Sequence, residues 1–236
     1  MKGIVSSFQS LGTLDGPGVR AVVFAAGCPL RCIYCHNPET WEMKGEEVDA
    51  ETLVQKILRF KPFIKNGGVT FSGGEPLLQG AFFAEVAERL KKENLHVALD
   101  TSGNFSDNST ERLVRAVDLI ILDVKFVSES DYKKYTGGSL EKTLAFLALA
   151  KRENKRVWIR QVVVKGLTDS DENVRKLKEI LRPFSDCIDK IEFLPFRKIC
   201  LEKYDRMNID FPLKNLEETD TITLDRMNAV LAENNS

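Results

Sequence analysis

Six short β-rich runs alternate along the chain with stretches of helical periodicity, and this alternation restricts the fold more than any other feature. The runs fall at 19–26, 68–71, 97–100, 119–124, 157–164 and 188–194. Helical patterns lie between them at 51–60, 77–92, 110–116, 140–151 and 172–181, with a last one at 221–231. In the first helix Leu53, Ile57 and Phe60 share a face, and in the second Phe83, Val86, Ala87 and Leu90 do so. Strands that alternate with helices build a parallel α/β sheet with right-handed crossovers. A doubly wound sheet and a partial barrel both satisfy that pattern.

The polar residues favour the barrel. Ser72-Gly73-Gly74-Glu75, Asp100-Thr101, Asp123-Val124-Lys125 and Arg160 stand in or just after successive strands. In a parallel barrel those strand ends meet at one mouth, where chemistry is built. The expected fold is a single-domain partial (β/α)6 barrel of parallel strands, with the site at the C-terminal strand ends. Its core would span about 18–196, followed by a tail over 197–236 with a final helix. No repeat or linker divides the chain.

Composition narrows the function classes. Lys plus Arg number 34 against 35 for Asp plus Glu, a net charge of -1, so bulk charge offers nothing to nucleic acid. The longest apolar stretch, 21–30, is far short of the roughly 20 residues of a spanning helix. The first residues lack an apolar core followed by a cleavage site. A cytoplasmic monomer without nucleic-acid or membrane partners is expected. The five cysteines are an odd number, and three of them lie within eight residues, which points away from a disulfide framework and toward metal or redox chemistry.

That cluster reads Cys28-Pro29-Leu30-Arg31-Cys32-Ile33-Tyr34-Cys35 and follows the first strand. Three thiolates on one short loop suit an iron–sulfur cluster. In a cubane they would leave one iron open. A structural zinc would need a fourth ligand, from His36, Cys187 or Cys200. Cys187 and Cys200 otherwise read as plain core or surface residues. Gly73 and Gly74 permit close approach of a ligand, or simply make a turn. Asp123 and Lys125 share a strand face, and a buried pair there wants a ligand or each other. Arg160 would pair a ligand carboxylate or a core carboxylate. Asp100 and Thr101 carry oxygens typical of a hard-cation site.

Further segments extend the pattern. Asp15-Gly16-Pro17-Gly18-Val19-Arg20 precedes the first strand, and Tyr34-Cys35-His36-Asn37-Pro38 closes the cysteine loop, with Trp41 beyond. Ser72-Gly73-Gly74-Glu75-Pro76, Leu99-Asp100-Thr101-Ser102-Gly103, Leu122-Asp123-Val124-Lys125 and Trp158-Ile159-Arg160 follow in order. Together they resemble the radical S-adenosylmethionine (SAM) superfamily, and within it the activating enzymes of glycyl radical enzymes. The likeness covers nearly the whole chain and weakens after about Phe196.

The resemblance implies a [4Fe–4S] cluster on Cys28, Cys32 and Cys35 whose open iron chelates SAM. It implies reductive cleavage of SAM and removal of a hydrogen from a glycine of a partner, with pyruvate formate-lyase the first candidate. Flavodoxin or ferredoxin would be the electron donor. By the same resemblance Gly73 and Gly74 hold the amino group of SAM, with Glu75 nearby. Asp123, Val124 and Lys125 serve its ribose and carboxylate, Arg160 its carboxylate, and Tyr34 and His36 its nucleoside. Asp100 and Thr101 would help bind a monovalent cation, and Asp15 would touch the partner's glycine loop.

One departure stands out. The family has Pro-Tyr-His after the sixth strand, and this chain has Pro195-Phe196-Arg197. An arginine cannot replace a neutral histidine. No cysteine lies between Cys35 and Gly73, which excludes activators with an inserted ferredoxin-like domain. Three other readings stay open: an activator of a different glycyl radical enzyme, a small-molecule radical SAM enzyme, and an electron carrier that does not bind SAM.

Overall fold

The computed structural model describes residues 1–233. Among them eight strands form one sheet: β1 (Lys2–Gly12), β2 (Arg20–Ala25), β3 (Glu46–Asp49), β4 (Gly68–Gly73), β5 (Val97–Thr101), β6 (Leu119–Asp123), β7 (Arg156–Val163) and β8 (Ile188–Pro195). Their order is β3-β1-β2-β4-β5-β6-β7-β8. The six expected strands are β2 and β4 to β8, and they pair in parallel in chain order. Among the described residues β3 and β8 end the sheet without pairing to each other, so the barrel is partial, as expected.

The helices are α1 (Ala50–Leu58), α2 (Lys61–Ile64), α3 (Gly80–Lys92), α4 (Thr110–Ala116), α5 (Glu129–Thr136), α6 (Leu140–Arg152), α7 (Asp171–Leu181), α8 (Leu201–Arg206) and α9 (Thr221–Ala232). Side chains of Asp49, Ser128, Ser139, Ser170 and Asp220 cap five of them by accepting a backbone N–H in the first turn. None of the helices in the described residues is long and apolar enough to cross a membrane. The expected tail runs to residue 236, and its last three residues lie outside the described ones.

Two strands are additions to the expected set. β1 pairs antiparallel with β2 on one side and with β3 on the other. Neither has a continuous apolar run: β1 buries only Gly3, Val5 and Gly12, and β3 only Val48. The exposed Glu46, Glu47 and Asp49 of β3 place charge on the sheet's edge, a common guard against edge pairing. α5 was also unforeseen, because its residues Glu-Ser-Asp-Tyr-Lys-Lys-Tyr-Thr bury only Tyr132 and Thr136.

The two faces of the sheet differ in chemistry. Phe71, Leu99, Ile120, Leu122 and Ile159 join Phe83, Val86 and Leu90 of α3 in one apolar core beneath the helices. On the other face only Ala98, Leu119, Ile121 and Trp158 form a small apolar group. The register carries polar residues along that inner face, with Asp100 beside Ile121, Asp123 beside Arg160, and Arg160 beside Glu192. A one-residue slip would exchange these faces. The alternation of strand residues therefore decides which side of the sheet receives polar groups.

Candidate active site

The cysteine loop leaves β2 without regular structure, and backbone hydrogen bonds from three directions pin it. Cys28 N–H donates to Trp41 O at 3.2 Å and Gly27 N–H to Glu42 O at 3.0 Å. Arg31 N–H and Ile33 N–H donate to Thr136 O (2.7 Å) and Tyr135 O (3.0 Å), at the end of α5. Cys35 N–H closes back onto Cys32 O at 3.0 Å. The helix that sequence periodicity missed thus braces the loop that carries the thiols.

β4 packs its end against the same loop. Gly74 N–H donates to Ala25 O at 3.0 Å, and Glu75 N–H to Gly27 O at 2.7 Å. A Cβ at Gly74 would stand 2.1 Å from Gly27 O, and one at Gly73, where φ is +103°, would stand 2.6 Å from Ala25 N. Close contact between two protein backbones therefore requires these glycines, apart from any contact with a ligand.

A cavity opens at the C-terminal ends of the parallel strands. Cys28, Cys32 and Cys35 line it together with Tyr34 and His36. Gly73, Gly74, Asp100, Thr101, Asp123 and Lys125 line it from β4, β5 and β6. Lys125 forms an ion pair with Asp123. Burial works against the Lys125 charge, and the Asp123 carboxylate beside it holds the ammonium above its ordinary range. All five cysteines are free. Burial pushes the Cys28 thiol up to about 11 and Cys32 up to about 12, and raises Cys35 too. These thiols keep their protons at neutral pH until a metal displaces them. Among the described residues no three His, Cys, Asp or Glu side chains gather around a single ion.

Four expected site residues do not line the cavity. Glu75 is fully buried, and its carboxylate accepts from Thr101 Oγ1 (2.6 Å), Ser102 Oγ (2.5 Å), Ser102 N–H (3.0 Å) and Leu77 N–H (3.2 Å). It braces the ends of β4 and β5 and has no lone pair aimed at a ligand. Val124 spends its N–H on Arg160 O (2.9 Å) and its carbonyl on Gln161 Nε2 (3.2 Å). Arg160 donates to Glu192 at 2.9 Å and to Leu14 O at 2.6 Å. Asp15 precedes β2, and its backbone carbonyl accepts from Thr70 Oγ1 at 2.6 Å. Burial raises its pKa, and Arg160 and Arg20 pull it back.

The cation reading of Asp100 and Thr101 finds no support in their contacts. The Thr101 hydroxyl donates to Glu75 and accepts from Gly103 N–H at 3.0 Å. Asp100 accepts from Ser72 Oγ at 2.8 Å. Burial, then repulsion from Asp123, pushes the Asp100 carboxyl up to about 7.

The departure at 195–197 has a local explanation. Arg197 turns its guanidinium to Thr219 O, 2.5 Å away, with Glu218 at 3.7 Å. Its backbone carbonyl meets His36 Nε2 at 2.8 Å. Burial pushes the His36 pKa down, so the ring that faces the cavity is neutral. Cys187 donates to Phe184 O at 3.2 Å, and neither it nor the buried Cys200 lines the cavity.

Several residues complete the site beyond the expected set. Asn37, Thr40, Ser72, Ser102 and Val162 also line the cavity. Asn37, Ser72 and Ser102 stand inside the quoted motifs, so their segments already carried a signal. Thr40 and Val162 carried none. Arg20 is fully buried and donates to Thr70 Oγ1 and Val69 O at 2.6 Å and to Pro17 O at 3.0 Å, securing the opposite end of the sheet.

A family model described as the radical SAM superfamily matches residues 22–177. The chain is 43% identical over 221 residues to the pyruvate formate-lyase-activating enzyme of Clostridium pasteurianum, covering 92% of each. It is 36% identical over 236 residues to the pyruvate formate-lyase 1-activating enzyme of Escherichia coli K12, covering 98% of this chain and 96% of the relative. A solved domain of a pyruvate-formate lyase-activating enzyme from Bacteroides vulgatus ATCC 8482 superposes with a TM-score of 0.58 at 20% identity, over 70% of this chain and 92% of that one. At that identity the structural likeness concerns the fold alone.

Proposed function

The chain belongs to the radical SAM superfamily and, within it, to the family of pyruvate formate-lyase-activating enzymes, and on that premise we propose that it activates a glycyl radical enzyme, pyruvate formate-lyase before others. The observation that carries this reading is the meeting of Cys28, Cys32 and Cys35 with Asp123, Lys125 and a neutral His36 around one cavity. Three thiols spaced C-x3-C-x2-C on one loop at the cavity suit an iron–sulfur cluster. Two buried hydroxyls near the loop, on Tyr34 and Tyr204, have no partner among the described residues, as expected where a further group completes the site.

Cys28, Cys32 and Cys35 would hold a [4Fe–4S] cluster, leaving one iron for SAM. Bound there, the cluster would supply one electron for reductive cleavage of SAM to a 5′-deoxyadenosyl radical, the species that would take a hydrogen atom from a glycine of the partner. Asp123 presents acceptors suited to the ribose hydroxyls, and Lys125 presents a cation suited to the carboxylate of SAM. Gly73 and Gly74 present backbone only. His36, fixed by Arg197 O, presents a neutral ring beside the last cysteine. Glu75 holds the β4 and β5 ends in place. The six parallel strands leave the barrel open, which suits a partner segment that must bring its glycine inside. One radical SAM domain, a flavodoxin or ferredoxin donor and a reducing cytoplasm belong to the same reading, the last supported by five free cysteines.

The test is anaerobic. The reconstituted protein is mixed with reductant, SAM and pyruvate formate-lyase, and a glycyl radical is sought by electron paramagnetic resonance. A glycyl signal supports the reading. 5′-Deoxyadenosine without that signal moves the assignment to another partner or to a small molecule. Neither product from an intact cluster leaves an electron carrier.

A further inference from the structure

α5 has little of its own to hold it in place. It is eight residues long and buries only Tyr132 and Thr136, and a helix this short is unstable alone. Yet its last two carbonyls, on Tyr135 and Thr136, accept the N–H groups of Ile33 and Arg31, on either side of Cys32. Whatever fixes α5 therefore fixes the backbone that carries Cys32.

A buried polar network does so, with Thr143 of α6 as its hub. The Thr143 hydroxyl donates to Ser102 O at 3.0 Å and accepts from Asn104 Nδ2 at 2.7 Å. With that proton committed, the Tyr132 hydroxyl donates to Thr143, at 2.7 Å. Asn104 Oδ1 accepts from Ser139 N–H at 2.7 Å. Thr136 Oγ1 donates to Tyr132 O at 2.5 Å and accepts from Gly138 N–H at 3.0 Å. A Cβ at Gly138 would stand 2.6 Å from both Asn104 Oδ1 and Leu30 Cδ2, so the turn after α5 lies between the network and the cysteine loop. Tyr132, Thr136 and Thr143 are fully buried, and Asn104 is nearly so. A buried network with its partners in place rigidifies one arrangement.

Resting on the cluster reading above, we infer that Asn104, Tyr132 and Thr143 are positioning residues, which act through α5 to hold the cysteine loop in its metal-binding shape before iron arrives. A loop already in that shape has less ordering to lose when it binds. Groups that orient metal ligands from behind carry about 10- to 100-fold of metal affinity.

The experiment compares wild type with Thr143→Val, Thr143→Ser and Tyr132→Phe. In the cluster-free proteins, hydrogen exchange of the Arg31 and Ile33 amides is followed by nuclear magnetic resonance. Both amides exchange about tenfold faster in T143V and Y132F, while those of β7 and β8 keep the wild-type rate. T143S retains the hydroxyl and restores slow exchange. After reconstitution, T143V and Y132F surrender iron to a chelator about tenfold faster than wild type, and T143S does not. Y132F keeps the buried ring and decides the matter should T143V fail to fold. Unchanged exchange at Arg31 and Ile33 overturns the inference, whatever the melting temperature. Faster exchange across the whole sheet overturns it as well, since the network then serves general stability. Faster loop exchange with wild-type iron retention separates the network from the metal site and also overturns it. In these three cases the cluster reading stands. A wild type that takes up no cluster overturns that reading, and this inference with it.

Discussion

The Glu75 carboxylate accepts the Ser102 hydroxyl at 2.5 Å and the Ser102 N–H at 3.0 Å, so one fully buried acid ties the end of β4 to the end of β5. Glu75→Ala strands the donors of Thr101 and Ser102, at about 1–3 kcal/mol for each one left unpaired. Urea unfolding of the cluster-free protein should show a lower midpoint for E75A, with E75Q between it and wild type. An unchanged midpoint in E75A would refute the bracing role.

Asp100 gives the cluster-free protein a pH dependence of definite sign. Its folded pKa of about 7 lies above the ordinary 3.8. Between those values the folded chain keeps a proton that the unfolded chain has released. Stability from this group is therefore present at low pH and lost as pH rises through about 7. Asp100→Asn should flatten the fall in urea midpoint across that window. A variant with the same slope as wild type would assign the effect elsewhere.

Gly74 has no room for a side chain. With Gly27 O only 2.1 Å from its notional Cβ, Gly74→Ala must push the cysteine loop away from β4. Overpacking of this kind costs about 1–3 kcal/mol. The expected result is a lower melting temperature and reduced iron and sulfide after reconstitution. Normal iron uptake by G74A would show that the loop tolerates the shift.

Lys125 is the cation that lines the cavity beside the thiols. Lys125→Met removes a charged donor and leaves Asp123 unpaired, so SAM should bind about 10- to 100-fold more weakly to the loaded protein. Calorimetric titration checks this, with iron content as the control. Unchanged affinity would take Lys125 out of the SAM site.

The cysteines separate cleanly by position. Alanine at Cys28, Cys32 or Cys35 should abolish the cluster's visible absorbance and the glycyl radical signal. Cys187→Ala should preserve both, because its thiol only bonds Phe184 O. Loss of the cluster in C187A would assign a ligand outside the loop.

The amino-acid sequence by itself determined the strand–helix alternation, the partial barrel and the three thiols of the cysteine loop. These are local properties: periodicity of apolar residues, residue type and spacing over a few positions. It also marked His36, Gly73, Gly74, Asp123 and Lys125, each at or just beyond a strand end or inside the loop. Only the tertiary structure decided which marked residues face the cavity. Glu75 and Val124 are engaged elsewhere, Glu75 by Ser102 just beyond β5 and Val124 by Gln161 of β7, while Arg160, on the inner face, pairs with Glu192 of β8. β1, β3 and α5 escaped for a related reason. Their apolar residues are too few to make a periodic signal, and they exist because the sheet edge and the cysteine loop supply hydrogen bonds that no local stretch contains.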